Sequence, residues 1–172
     1  MPVPPRITAA VELLDPQPGD TVLEVGGGTG VSAGLICDRL HGGRLIALDR
    51  SAKATARTVE RNPEHVEAGR LEAVTGPLAE LARLTGQVGS VDRALAVNVN
   101  AFWTGPADRE LTALHGALRP GGLVVLAWGA DGPQSTTRLV EPTAEGLRRY
   151  GFCAVAAIDH PHVVGVTALA PR

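Results

Sequence analysis

The stretch "EVGGGTG" places Gly26, Gly27, Gly28 and Gly30 within five positions, with Thr29 between the last two and Glu24 two residues upstream. Glycines this close together let a backbone approach a ligand. The N–H groups at the start of a following helix suit a phosphate or a carboxylate. The neighbouring residues narrow that choice. The dinucleotide pattern G-x-G-x-x-G/A, counted from Gly26, needs a small residue where Val31 stands. The triphosphate pattern needs Lys directly after Gly, and the sole lysine, Lys53, follows Ala52. Glu24 would repel a pyrophosphate but attract an ammonium or a sulfonium. Asp49 lies roughly 20 residues past the loop, where a carboxylate can accept both hydroxyls of a ribose and reject a 2′-phosphate, although Arg50 follows it.

These residues need elements to hold them, and the chain alternates strand-like and helix-like segments throughout. "ITAAVELL" puts Ile7, Ala10, Val11 and Leu14 on one helical face, ended by Asp15-Pro16. "TVLEV" is a short β-branched run before the glycines, and a helix is expected from about Val31 to Leu40. Next come "RLIALD" as a strand and "SAKATARTVERN" as a helix with Ser51 as its N-cap. "RLEAV" and "VDRALAV" read as strands on either side of a short helix, "GPLAELARL". Pro106 marks a helix start whose buried stripe is Ala107, Leu111, Leu114 and Leu118. "PGGLVVLAW" feeds a fifth strand, 128–142 reads as a loop, "TAEGLRRYGF" as a helix, and the tail as a hairpin. Such alternation implies a parallel sheet with helices on both faces. Ligands then bind beyond the carboxyl ends of the strands.

Composition excludes several classes. At 172 residues one domain is expected. A net charge of −2 and 3% aromatic residues give no basic, ring-bearing face for nucleic acid. No run nears the roughly eighteen apolar residues of a membrane span. "MPVPPRITAAVELL" lacks the layout of a secretory signal. Cys37 and Cys153 have no metal-binding spacing and read as reduced thiols. A cytoplasmic protein is the expectation.

Carboxylate, ammonium, sulfonium and ribose together describe S-adenosylmethionine. "VLEVGGGTG", "LIALD" and "LRPGGLVVLAW" resemble motifs of class I S-adenosylmethionine-dependent methyltransferases, and the likeness spans the chain. The resemblance implies an α/β fold: a three-layer αβα sandwich whose seven-stranded, mostly parallel sheet has the order 3-2-1-4-5-7-6, the last strand antiparallel. It implies cofactor contacts at Glu24, Gly26, Gly27, Gly28, Thr29, Gly30 and Asp49. Two positions depart from the family pattern. Pro77 stands where an acid often meets the adenine amine, which leaves adenine to backbone near Leu78 and Ala79, or to Glu80. Arg50 replaces an apolar residue, and its guanidinium could stack on the base instead.

The acceptor side is less distinct. Asn100-Ala101-Phe102-Trp103 is loosely similar to the Asn-Pro-Pro-aromatic motif of amino-group methyltransferases but lacks both prolines. The preferred reading places Asn98 beside the cofactor, with Asn100, Phe102 and Trp103 walling the substrate pocket. Asp159, His160 and His162 have no evident third partner for a metal, so none is expected; His160 is a candidate substrate contact or base. One short N-terminal helix and no separate substrate domain make a small-molecule acceptor the expectation, with a protein acceptor second and a homodimer conceivable. Two other classes stay open: a binding module without chemistry, and a nicotinamide-dependent reductase. The reductase is disfavoured by Val31 and by the lack of a Tyr-x-x-x-Lys pair.

Overall fold

The computed structural model describes residues 2–130 and 136–172. Part of the loop expected over 128–142 therefore lies outside the described residues, and no side chain is described for Thr136 and Thr137. The elements are α1 (Pro5–Leu14), β1 (Thr21–Val25), α2 (Val31–Cys37), β2 (Arg44–Asp49), α3 (Ala52–Arg61), α4 (Pro63–Glu67), β3 (Leu71–Thr75) and α5 (Leu81–Thr85). They continue with β4 (Val91–Val97), α6 (Asp108–Ala117), β5 (Leu118–Gly129), α7 (Thr136–Arg149), β6 (Cys153–His160) and β7 (Val163–Leu169). Two 3₁₀ turns, Leu78–Glu80 and Asn100–Phe102, follow β3 and β4. No helix among the described residues is long and apolar enough to cross a membrane.

The seven strands form one sheet in the order β3-β2-β1-β4-β5-β7-β6. The pairs among β1 to β5 are parallel. β7 runs antiparallel to β5, and β6 antiparallel to β7. The class I order and the antiparallel β7 are thus both present.

The period-two alternation of each strand sorts side chains into two cores. Leu23 and Val25 of β1 join Ile46 and Leu48 of β2 on the face covered by α5, α6 and α7. Val22, Leu45 and Ala47 face the other way, onto Ala10 and Leu14 of α1 and Ala33 and Ile36 of α2. Both faces of the central strands are buried, which is why these strands read as nearly continuous apolar runs.

Several boundaries differ from expectation. α2 stops at Cys37, and Leu40 ends the segment in a turn, its N–H donating to the Cys37 carbonyl at 3.1 Å. α6 begins at Asp108 rather than at Pro106, because Ala107 takes a left-handed N-cap conformation with φ of 49°. "GPLAELARL" divides into a 3₁₀ turn and a five-residue α5. α4, entered through Pro63 at its first turn, was not anticipated. α7 starts well before "TAEGLRRYGF" and carries Pro142 inside it.

Candidate active site

The glycine loop joins the end of β1 to α2 and is tied to its surroundings at several points. The Gly26 N–H donates to the Leu48 carbonyl at 2.8 Å, which binds the end of β1 to the end of β2. Gly26 has φ of +73°, and a Cβ there would lie 2.7 Å from Val99 Cγ2. Gly30 also has φ of +73°, and a Cβ would lie 2.7 Å from Thr58 Cα on α3. Each site needs glycine twice over, for the left-handed backbone and for the close approach.

Asp49, at the carboxyl end of β2, faces this loop. Its Oδ2 accepts the Gly28 N–H at 3.3 Å and its Oδ1 accepts the Ser51 N–H at 2.9 Å. An ionised carboxylate has about four lone-pair positions, so Asp49 keeps acceptor capacity for a ligand. Ser51 also caps α3, accepting the Ala54 N–H at 3.3 Å.

Beyond the carboxyl ends of β1, β2, β3 and β4 lies a cavity of about 340 Å³, within the range of small-molecule sites. Gly26, Asp49, Arg50, Leu78, Asn98 and Asn100 all line it, so these six candidates come together. Val99, Phe102 and Glu110 complete parts of its wall. Asn98 holds φ of +59° while its N–H donates to Ala127 O at 2.8 Å and its Oδ1 accepts the Gly129 N–H at 3.1 Å. The loop after β4 is thereby anchored to β5.

Other candidates lie elsewhere. Thr29 is exposed, with its carbonyl accepting Arg61 Nε at 2.7 Å on the outer side of the loop. Glu80 pairs with Arg83, its Oε2 accepting Nε at 3.0 Å, and does not line the cavity. Ala79 borders a different groove, on α5 and α6. Of the three adenine-side alternatives only Leu78 reaches the cavity wall. Trp103 is set back, its Nε1 donating to Asn100 Oδ1 at 3.3 Å and its ring 5.4 Å from the Arg138 guanidinium carbon. His160 sits at the hairpin tip, on the same edge of the sheet but beyond β5 and β7; its Nδ1 accepts the His162 N–H at 3.2 Å. His162 borders a separate hollow with Pro5 and Arg6.

Glu24 requires a correction of geometry. It was expected to meet the ligand directly, but it is only 2% exposed and is not part of the cavity wall. The pleat of β1 explains this, because Glu24 alternates with Leu23 and Val25 and so points with Val22 toward α2. Its Oε1 accepts the Ser32 hydroxyl, and its Oε2 has no partner among the described residues. That free oxygen lies beneath the loop, 2.6 Å from where a Cβ on Gly27 would be. Burial pushes the Glu24 carboxyl up to about 7; the Ser32 hydrogen bond opposes this shift and the charge of Asp49 adds to it.

Sequence reasoning missed Ser32, Asn62 and Glu110. Asn62 Nδ2 donates to the carbonyls of Gly30 at 2.9 Å and Thr58 at 2.8 Å, fastening the end of the loop to α3. No sequence motif announces such a tie. The residues present fit a ligand with a ribose and a positive charge: Asp49 keeps free acceptor capacity, and an orphaned carboxylate oxygen lies under the loop.

Residues 22–122 match the methyltransferase domain family. The chain belongs to that family. The matched stretch of the methyltransferase domain runs from β1 into β5 and includes all four strands that end at the cavity. Membership sets aside the nicotinamide-dependent reductase. S-adenosylmethionine is the cofactor of these methyltransferases, and the cavity has the groups to take it.

Among curated relatives, a protein-L-isoaspartate O-methyltransferase of Methanopyrus kandleri is 33% identical over 169 residues, covering 88% of this chain and 64% of that protein. One of Aeropyrum pernix is 29% identical over 140 residues, covering 81% of this chain and 50% of that protein. The methyltransferase domain thus spans half to two thirds of the length of these relatives. Among solved structures, an S-adenosylmethionine-dependent methyltransferase from Aquifex aeolicus superimposes with a TM-score of 0.77 at 14% identity, over 95% of this chain and 89% of that one. An O-methyltransferase from Thermotoga maritima gives 0.76 at 13% identity, over 100% and 67%. At such identities the structural likeness shows the fold.

Proposed function

We propose that this domain transfers the methyl group of S-adenosylmethionine to a nucleophilic atom of an acceptor held over the loop after β4. One observation carries the reading: Asp49, held by the Gly28 and Ser51 N–H groups, lines a cavity whose wall also includes Gly26 at the start of the glycine loop. Asp49 would hold the ribose hydroxyls. The glycine-loop backbone would hold the carboxylate end of the amino acid, and Glu24 beneath it would favour the ammonium. Arg50 and Leu78 would bracket the base. When bound, S-adenosylmethionine would supply a methyl group on a sulfonium: an acceptor lone pair would bond to the methyl carbon as the carbon–sulfur bond breaks and the neutral thioether leaves. The protein's part is alignment of donor and acceptor, an effect that can supply about 7–11 kcal/mol.

For the acceptor, a small molecule resting against Asn100 and Phe102 is the first reading, because both residues line the cavity on its β4 side. A protein isoaspartyl group is the second, supported by the names of the two archaeal relatives.

Calorimetry with S-adenosylmethionine, S-adenosylhomocysteine and NAD tests the donor. Transfer of labelled methyl to a metabolite extract and, separately, to an isoaspartyl peptide tests the acceptor. Binding of the first two ligands without NAD, followed by transfer, is expected. Affinity for NAD alone would overturn the assignment, and tight binding with no transfer to either acceptor would favour a binding module.

A further inference from the structure

We infer that Glu110, on α6, reads the exocyclic amine of the adenine base and fills the role that Pro77 cannot. The inference rests on the cavity being the S-adenosylmethionine site. If Asp49 holds the ribose, the amino-acid end of the ligand lies toward the glycine loop after β1. The base must then continue the other way, past the end of β2 toward the loop after β3. Gly76, Pro77 and Leu78 line that end, and none of them offers a side-chain acceptor. Arg50 and Glu110 are the ionisable side chains of the cavity wall besides Asp49.

Glu110 is half-buried in the first turn of α6. A glutamate at that position often reaches back to cap its own helix, yet α6 has no side-chain cap. Glu110 also has no ion pair or hydrogen bond among the described residues. Arg50, which follows β2 and lines the same cavity, likewise has none among the described residues. An acid and a base that line one cavity, paired neither with each other nor with other described residues, can together take a flat, polar-edged group. A guanidinium stacks on such a ring. A carboxylate accepts strongly from an amino group at its edge and is repelled by a carbonyl oxygen in the same place.

This assignment makes a demand that a purely helix-stabilising glutamate would not meet. The test compares S-adenosylhomocysteine with its 6-oxo analogue, in which hypoxanthine replaces adenine, by calorimetry on the wild type, Glu110→Gln and Asp49→Ala. A glutamine can present its oxygen to an amine or its NH₂ to a carbonyl. Glu110→Gln should therefore bind the 6-oxo analogue about tenfold better than wild type does, with S-adenosylhomocysteine affinity changed less than about threefold. Asp49→Ala should weaken both ligands by more than about tenfold and leave their ratio as it was. An unchanged ratio in Glu110→Gln, with Asp49→Ala still weakening both ligands, overturns the role of Glu110 and leaves the cofactor site standing. A wild type that binds neither ligand overturns the cofactor site as well.

Discussion

The carboxyl group of Glu24 is buried without a cation, and that sets a sign for how stability responds to pH. Burial raises it from 4.5 to about 7 in the folded chain. Between those values the folded state keeps a proton that the unfolded state has released, so stability falls as pH rises through this window and levels off above about 7. The whole effect is on the order of 3 kcal/mol. Glu24→Gln retains an acceptor for the Ser32 hydroxyl and removes the titration. Urea unfolding at pH 5, 6, 7 and 8 should show the decline in wild type and its loss in the variant; parallel curves would rule out Glu24 as the source. Single residues also mark the limit of what the sequence discloses. That Asp49 would stand at the cavity was legible, because it lies a fixed distance past a glycine loop, and Arg50 follows it there. Ser32 was not, because its partnership with Glu24 depends on how α2 settles against β1.

Helix α2 depends on a contact with α3 that no helix propensity reports. A Cβ on Gly30 would meet the Thr58 backbone at 2.7 Å and Asn62 Nδ2 at 2.9 Å, in a conformation that side chains avoid. Gly30→Ala should cost about 2 kcal/mol or more in chemical denaturation, whereas Gly42→Ala, with open space around it, should change stability by about 0.5 kcal/mol or less. Equal effects would contradict this account. Elements with a clear signal could be read directly from the residues: β1 and β2 as apolar runs, α1 by its spacing and α3 by its Ser51 cap. α7 could not, because Pro142 looked like a boundary. Buried Leu139, Val140, Ala144 and Leu147 keep a helical spacing straight through it. The Thr143 hydroxyl also donates to the Leu139 carbonyl at 2.7 Å within that turn. α4 is a single short turn with no buried residue, so it left no hydrophobic signal to find.

At the scale of the molecule, the β3-β2-β1-β4 half of the sheet carries the cavity, and the β5-β7-β6 half extends beyond it. The hairpin tip shares an edge with the site but not a wall. His160→Ala should therefore leave S-adenosylhomocysteine affinity within about twofold of wild type by calorimetry; a larger loss would bring the hairpin into the cofactor site. The strand order was legible because alternating elements and a closing hairpin suit few arrangements. Which face of the cavity an α6 side chain would reach was not, because that depends on how α6 packs against the turn after β3. The two backbone bonds to Asp49 also have a consequence in time. Gly28 and Ser51 are fastened to the carboxylate before any ligand arrives. The entropy of ordering this corner is lost once, when the chain folds, and not again at each encounter. Stopped-flow capture of S-adenosylhomocysteine is then expected to show a rate that climbs in proportion to concentration, and a plateau would show that another segment must order first.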